Sequence, residues 1–170
     1  MWWFRYLVLP ICALAVAGCG FKPLYEGGKR SQISGQLASV RIAPIADRLG
    51  QQLRNELLDR INPFGRPGDP RYALNIKIRE SRQELAVRKT ELATRANLYI
   101  AADFSLSANR GATKSLFSGK SRATVSYNIL AADFATMMAE RDARRRAVRE
   151  IGADITDKLA TYFNLSGKPD

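Results

Sequence analysis

Three alternations of period two occupy the middle of the chain. Tyr72, Leu74, Ile76 and Ile78 share one parity while Asn75, Lys77 and Arg79 share the other, the spacing of a strand with one dry and one wet face. The alternation resumes weakly at Leu85 and Val87 and gives way to a polar stretch over 88–95. Leu98, Ile100, Ala102, Phe104 and Leu106 then alternate with Tyr99, Ala101, Asp103 and Ser105, and Asn109, Arg110 and Gly111 supply turn chemistry. A last strand sets Phe117, Ala123, Val125 and Tyr127 against Lys120, Arg122, Thr124 and Ser126. Upstream, residues 40–45 alternate until Pro44, which suits an edge strand or a strand end. Asp47 is placed to cap a helix to about Ile61, with Leu49, Leu53, Leu57 and Ile61 at spacing four and Asn62-Pro63 as the stop. Residues 64–70 are turn-rich, with no helix or strand option. From Asp133 the period becomes helical to about Phe163: Val148, Ile151, Ile155, Leu159 and Tyr162 form a stripe, and Phe134, Met137 and Met138 extend the apolar surface at its start. The expected fold is α+β, a two-layer sandwich in which a mainly antiparallel four-stranded sheet carries two helices on one face.

The N-terminus follows a different rule. Arg5 precedes eleven residues, 6–16, that are apolar on every side, and small residues follow. Such a stretch fits the core of a signal peptide and is shorter than the ~20 residues of a membrane-spanning helix. Leu14, Ala15, Val16, Ala17, Gly18 and Cys19 resemble the bacterial lipobox. That resemblance implies cleavage before Cys19, a diacylglycerol on its thiol and an acyl chain on the new amine; stable anchoring needs more than one chain. Gly20, where an Asp favours inner-membrane retention in the sorting rule this resembles, leans towards the outer membrane. The domain plan is a lipoprotein signal peptide over 1–18, a lipidated N-terminus and flexible tether over 19–38, a single domain over 39–165 and a tail over 166–170. Cys12 leaves with the signal peptide, so no disulfide is expected.

Charge then narrows the chemistry. The 170 residues hold 27 Lys and Arg against 16 Asp and Glu, a formal charge of +11, and no histidine. No imidazole base, imidazole–metal site or His-dependent triad is available. Glu80, Glu84 and Glu91 lie on or beside strands without a second functional group at motif spacing. The expectation is therefore no enzyme, no metal and no cofactor beyond the covalent lipid on Cys19. Residues 71–132 carry eleven basic and four acidic side chains, whereas 133–163 carry six of each. The excess sits on the sheet, and the run Arg144, Arg145 and Arg146 is offset by its neighbours. A basic sheet calls for a polyanion. The candidate cations are Arg88, Lys89 and Arg95 at a hairpin tip, Lys77, Arg79, Lys120 and Arg122 on the wet face, and Arg141 near the start of the long helix. Nucleic acid is disfavoured as partner because the lipobox directs the chain out of the cytoplasm.

Cys19, Gly20, Phe21, Lys22, Pro23, Leu24 and Tyr25, followed by strand, helix, three strands and a long helix, resemble the lipopolysaccharide-assembly lipoprotein LptE family, most of all its alphaproteobacterial members. The resemblance implies an outer-membrane lipoprotein whose domain sits on the periplasmic side or within the lumen of the β-barrel LptD. It implies a non-enzymatic plug and assembly factor for that barrel that also binds lipopolysaccharide. The alternative expectation is another periplasmic lipoprotein, an adaptor for a lipid or solute transporter.

Overall fold

The computed structural model describes residues 29–85, 95–109 and 115–166. The chain divides into two compact units, Met1–Ser31 and Gln32–Asp170, and the second holds all the sheet and core described below. In chain order the elements are α1 (Lys29–Ala38), β1 (Val40–Ile42), α2 (Asp47–Ile61), β2 (Tyr72–Leu85), β3 (Arg95–Ala108), β4 (Ser115–Asn128) and α3 (Asp133–Ser166).

The sheet has the order β1-β2-β3-β4. Three period-two segments joined by hairpin connections produce the antiparallel pairs β2–β3 and β3–β4. β1 lies parallel to β2, and α2 supplies the crossover that a parallel pair requires. Burial follows the alternation: Leu98, Ile100, Ala102, Phe104 and Leu106 are all buried, while the residues between them are half-buried or exposed. A register shift between Leu106 and Ser107 leaves Leu116 outside the ladder.

The two-layer α+β sandwich is realised as expected. Leu53, Leu57 and Ile61 of α2 and Ile151, Ile155 and Leu159 of α3 join the sheet's dry face in one core; each such side chain contributes about 1.5–3 kcal/mol on burial. Tyr162 stacks on Phe117 with centroids 5.0 Å apart, closing the core near the end of α3. No helix among the described residues is long and apolar enough to cross a membrane, α3 included.

Three local features differ from the pattern-based expectation. Asp47 does not cap α2: Ala46 holds that position without a side-chain bond, and Asp47 is the first helical residue, with φ 65°. Asp tolerates this left-handed backbone better than most residues, and its charge suits the helix N-terminus. Within the segment expected to be an irregular tether, Lys29–Ala38 is helical. Among its described side chains only Leu37 packs against the core, so the 3.6-residue apolar period that would have betrayed the helix is missing. Finally, Phe134, Met137 and Met138 are exposed, Phe134 to 70%, rather than seated on the sheet.

Candidate polyanion-binding face

Parity alone puts Lys77 and Arg79 of β2 and Lys120 and Arg122 of β4 on the sheet face away from the helices; register decides whether they meet. Lys77 stands opposite Asp103 of β3, and Asp103 opposite Lys120. One rung further, Arg79 and Arg122 flank Ala101. Directly opposed residues have Cβ atoms about 4.5–5.5 Å apart, so the four cations surround one carboxylate. Arg79 hydrogen-bonds Asp103, and Lys120 approaches it at 3.7 Å. Lys77 and Arg122 have no ion-pair partner among the described residues. Four positive charges and one negative leave an unbalanced charge of +3 on a patch spanning three strands.

The side chain of Ala101 is too short to fill the rung between Arg79 and Arg122. Together with Ser81, Tyr99 and Thr124 they border a depression of about 450 Å³ open to solvent. Tyr99 is 37% exposed, and its hydroxyl donates to Gln83 (3.4 Å) and accepts from Asn97 (3.3 Å), which in turn accepts from Ser126 (2.7 Å). This ladder fixes the aromatic ring beside the two guanidiniums. The arrangement can present several charge-assisted donors to an anion, with Arg able to grip two oxygens at once. It offers no paired acid and base and no activated nucleophile.

The other candidate cations fall elsewhere. Arg95 opens β3 opposite Asn128, eight residues along the strand from Asp103, hence roughly 26 Å away at strand rise. Arg141 lies on the helix side of the sheet, lining a groove with Arg48, Leu49, Glu80 and Met138. Arg88, Lys89 and Cys19 lie outside the described residues. The run on α3 is spent on internal pairs: Arg144 reaches Glu80 (2.8 Å) and Glu140 (2.6 Å), and Arg145 and Arg146 share Asp142. Beside this network Tyr127 is 5% exposed, its hydroxyl without a partner among the described residues; burial and then the Glu140 charge push its phenol up from the ordinary value.

Strand parity points to these cations but does not show which carboxylate gathers them. Asp103 was visible at wet-face parity on β3, but only the strand register shows that it stands between Lys77 and Lys120. The Glu80–Arg144 bridge spans 64 residues and left no local signal at all.

A family model described as LptE, lipopolysaccharide-assembly, matches residues 37–159. A crystal structure described as a lipoprotein of Caulobacter crescentus CB15 is similar at 24% identity, with a TM-score of 0.67, covering 83% of this chain and all of that one. A minor lipoprotein from Acinetobacter baumannii is similar at 21% identity and a TM-score of 0.53, covering 72% of this chain and 88% of that one. At such identities the two structures establish a shared fold. No curated protein sequence matches the chain.

Proposed function

The chain belongs to the LptE family of non-enzymatic lipopolysaccharide-assembly lipoproteins, and from that premise we propose that it binds lipopolysaccharide on the basic sheet face while seated in the LptD barrel of the outer membrane. The observation that carries the binding reading is the group of Lys77, Arg79, Lys120 and Arg122 around the single Asp103. Lipid A and the inner core of lipopolysaccharide display phosphates and carboxylates, which four convergent cations attract more than any isolated one does. A polar, charged face also suits a barrel whose interior is polar. Cys19, carrying lipid, holds the domain to the periplasmic side of the outer membrane.

Each cation is solvent-exposed, so each contributes modestly, about 0.5 kcal/mol, and the four together about 2 kcal/mol. Replacing Lys77, Arg79, Lys120 and Arg122 by Ser is therefore expected to weaken lipopolysaccharide binding roughly 10- to 30-fold at low salt, with the difference shrinking as salt screens it. The same titration on a variant with Arg88, Lys89 and Arg95 changed to Ser tests the hairpin tip as the site instead. Unchanged affinity in the four-fold variant, with its circular dichroism intact, overturns the sheet-face reading. Purification of the lipidated protein from outer membranes tests the partner: a free protein with no barrel attached favours the transporter-adaptor alternative.

A further inference from the structure

The two edges of the sheet are finished differently. Along β4, Lys158 of α3 donates to the Lys120 carbonyl (2.7 Å) and Arg146 to the Ser126 carbonyl (3.3 Å). Helix cations thus occupy backbone acceptors of that edge, one of the ways proteins protect a strand from unwanted pairing. At the opposite edge β1 pairs only with Tyr72, Ala73 and Leu74, the first three of fourteen residues in β2. Pro44 lies just beyond β1, where it has no N–H to extend the ladder, and the chain turns away into α2.

Backbone parity tells which groups of β2 are left without partners. Tyr72 donates to the Ser39 carbonyl (3.4 Å) and the Leu74 carbonyl accepts from Ala43 (3.0 Å), so the even-numbered residues direct their backbone groups away from β3. The register with β3 runs without a shift to Leu85, which carries that parity through Ile78, Glu80, Arg82 and Glu84. Among the described residues, none of these four has a backbone partner on the outer side. They present a row of donors and acceptors ready for another strand.

The surroundings select what kind of strand. On the helix side the edge borders a groove of about 440 Å³ between the start of α2 and the first half of α3, where Leu49 and Met138 stand among Arg48, Arg141, Arg144 and Arg145. The charges of β2 itself are satisfied on that side, Glu80 by Arg144 and Arg82 by Glu84, whereas Arg48 and Arg141 in the groove have no ion-pair partner among the described residues. On the other side Lys77 is unpaired among the described residues, and Arg79 shares its one carboxylate with Lys120. An incoming strand would therefore set acidic side chains beside Lys77 and Arg79 and its alternate side chains over a groove that offers Leu49 and Met138 to apolar groups and Arg48 and Arg141 to acidic ones.

We propose that the open edge of β2 from Ile78 to Glu84 is a docking strand for an extended segment of a partner protein rich in acidic residues, with apolar residues interspersed. The segment adds to the sheet along the line that β1 leaves unfinished. This goes beyond lipopolysaccharide binding: the hydrogen-bonding groups are backbone atoms of even-numbered residues, while Lys77 and Arg79 serve both ligands.

The probe is a fluorescent, end-blocked decapeptide of alternating Glu and Val, titrated into the full lipidated chain in detergent, with an alternating Lys and Val peptide as comparison. The acidic peptide is expected to bind at least tenfold more tightly than the basic one, and Arg82→Pro, which removes an outward N–H from an exposed position, to weaken it about tenfold. Arg82→Ala, which keeps the N–H, is expected to change affinity less than threefold, and neither variant to alter lipopolysaccharide affinity. Amide exchange on the unmodified chain guards against a proline variant that fails to fold. The amides of Ile78, Glu80, Arg82 and Glu84 should exchange fast in the free protein and slow down with peptide bound. Equal binding of both peptides, or no new protection at saturation, overturns the proposal. So does protection already present without peptide, whether independent of protein concentration, when the chain's own residues cover the edge, or rising with it, when a second copy does.

Discussion

Gly119 is the residue where the core of the sheet tolerates least. It stands opposite Phe104 in the β3–β4 ladder, and a Cβ there would lie 2.6 Å from the tip of that ring. Phe104 covers the gap a side chain would have filled, and is itself held edge-on by Phe117 at 5.8 Å. Gly119→Val is expected to cost about 1–3 kcal/mol through overpacking, read as a lower urea midpoint with an unchanged slope. Gly68→Ala, at a position where a Cβ meets nothing within 4 Å, serves as the neutral control. A Gly119 variant as stable as the control would show that Phe104 moves aside freely. The sequence displays Gly119 within a strand, where glycine weakens pairing and signals a close approach. It does not display Phe104 as the reason, because the two are fifteen positions apart and meet only through register.

At the scale of the element, α3 combines two jobs along its 34 residues. One face supplies Ala143, Ala147, Ile151, Ile155 and Leu159 to the core, and its flanks carry ion pairs that reach the sheet. Asp154 belongs to the second set. Burial by itself would raise its carboxyl, but the hydrogen bond from Lys158 (2.7 Å), the Ser121 hydroxyl and the charge of the Lys158 ammonium together outweigh burial and hold it below the ordinary value. A carboxyl whose folded-state pKa is depressed stabilises the fold above its unfolded value near pH 4 and loses that contribution as pH falls through the folded one. Thermal melts across acid pH are expected to show part of the chain's acid sensitivity disappear in Asp154→Asn, and superimposable profiles for variant and parent would remove Asp154 from the account. The helical period of α3 was legible because its apolar stripe recurs at three and four. Its partners across the sheet were not, since Glu80 and Lys120 lie far off in sequence and no local spacing encodes them.

At the scale of the molecule, the buried core of the described residues falls between Val40 and Phe163, within the second compact unit. A chain beginning at Gln32 is accordingly expected to keep the far-ultraviolet dichroism per residue and the cooperative melt of the full protein, and a melt that broadens or falls by more than a few degrees would place stabilising contacts in Met1–Ser31. The amino-acid sequence by itself determined the α+β class, the three wet-and-dry strands, the covering helices and the basic excess of the sheet. Each of these follows from near-neighbour periodicity and composition, which hydrophobic burial converts directly into faces. Only the tertiary structure decided that four of the cations converge on Asp103 while Arg95 and Arg141 stand apart, and that among the described residues β2 keeps an open edge where helix cations cap carbonyls of β4. Those outcomes depend on strand register and on where Pro44 ends β1. A shift of two residues in either hairpin would keep every side chain on its face yet give each cation a different neighbour.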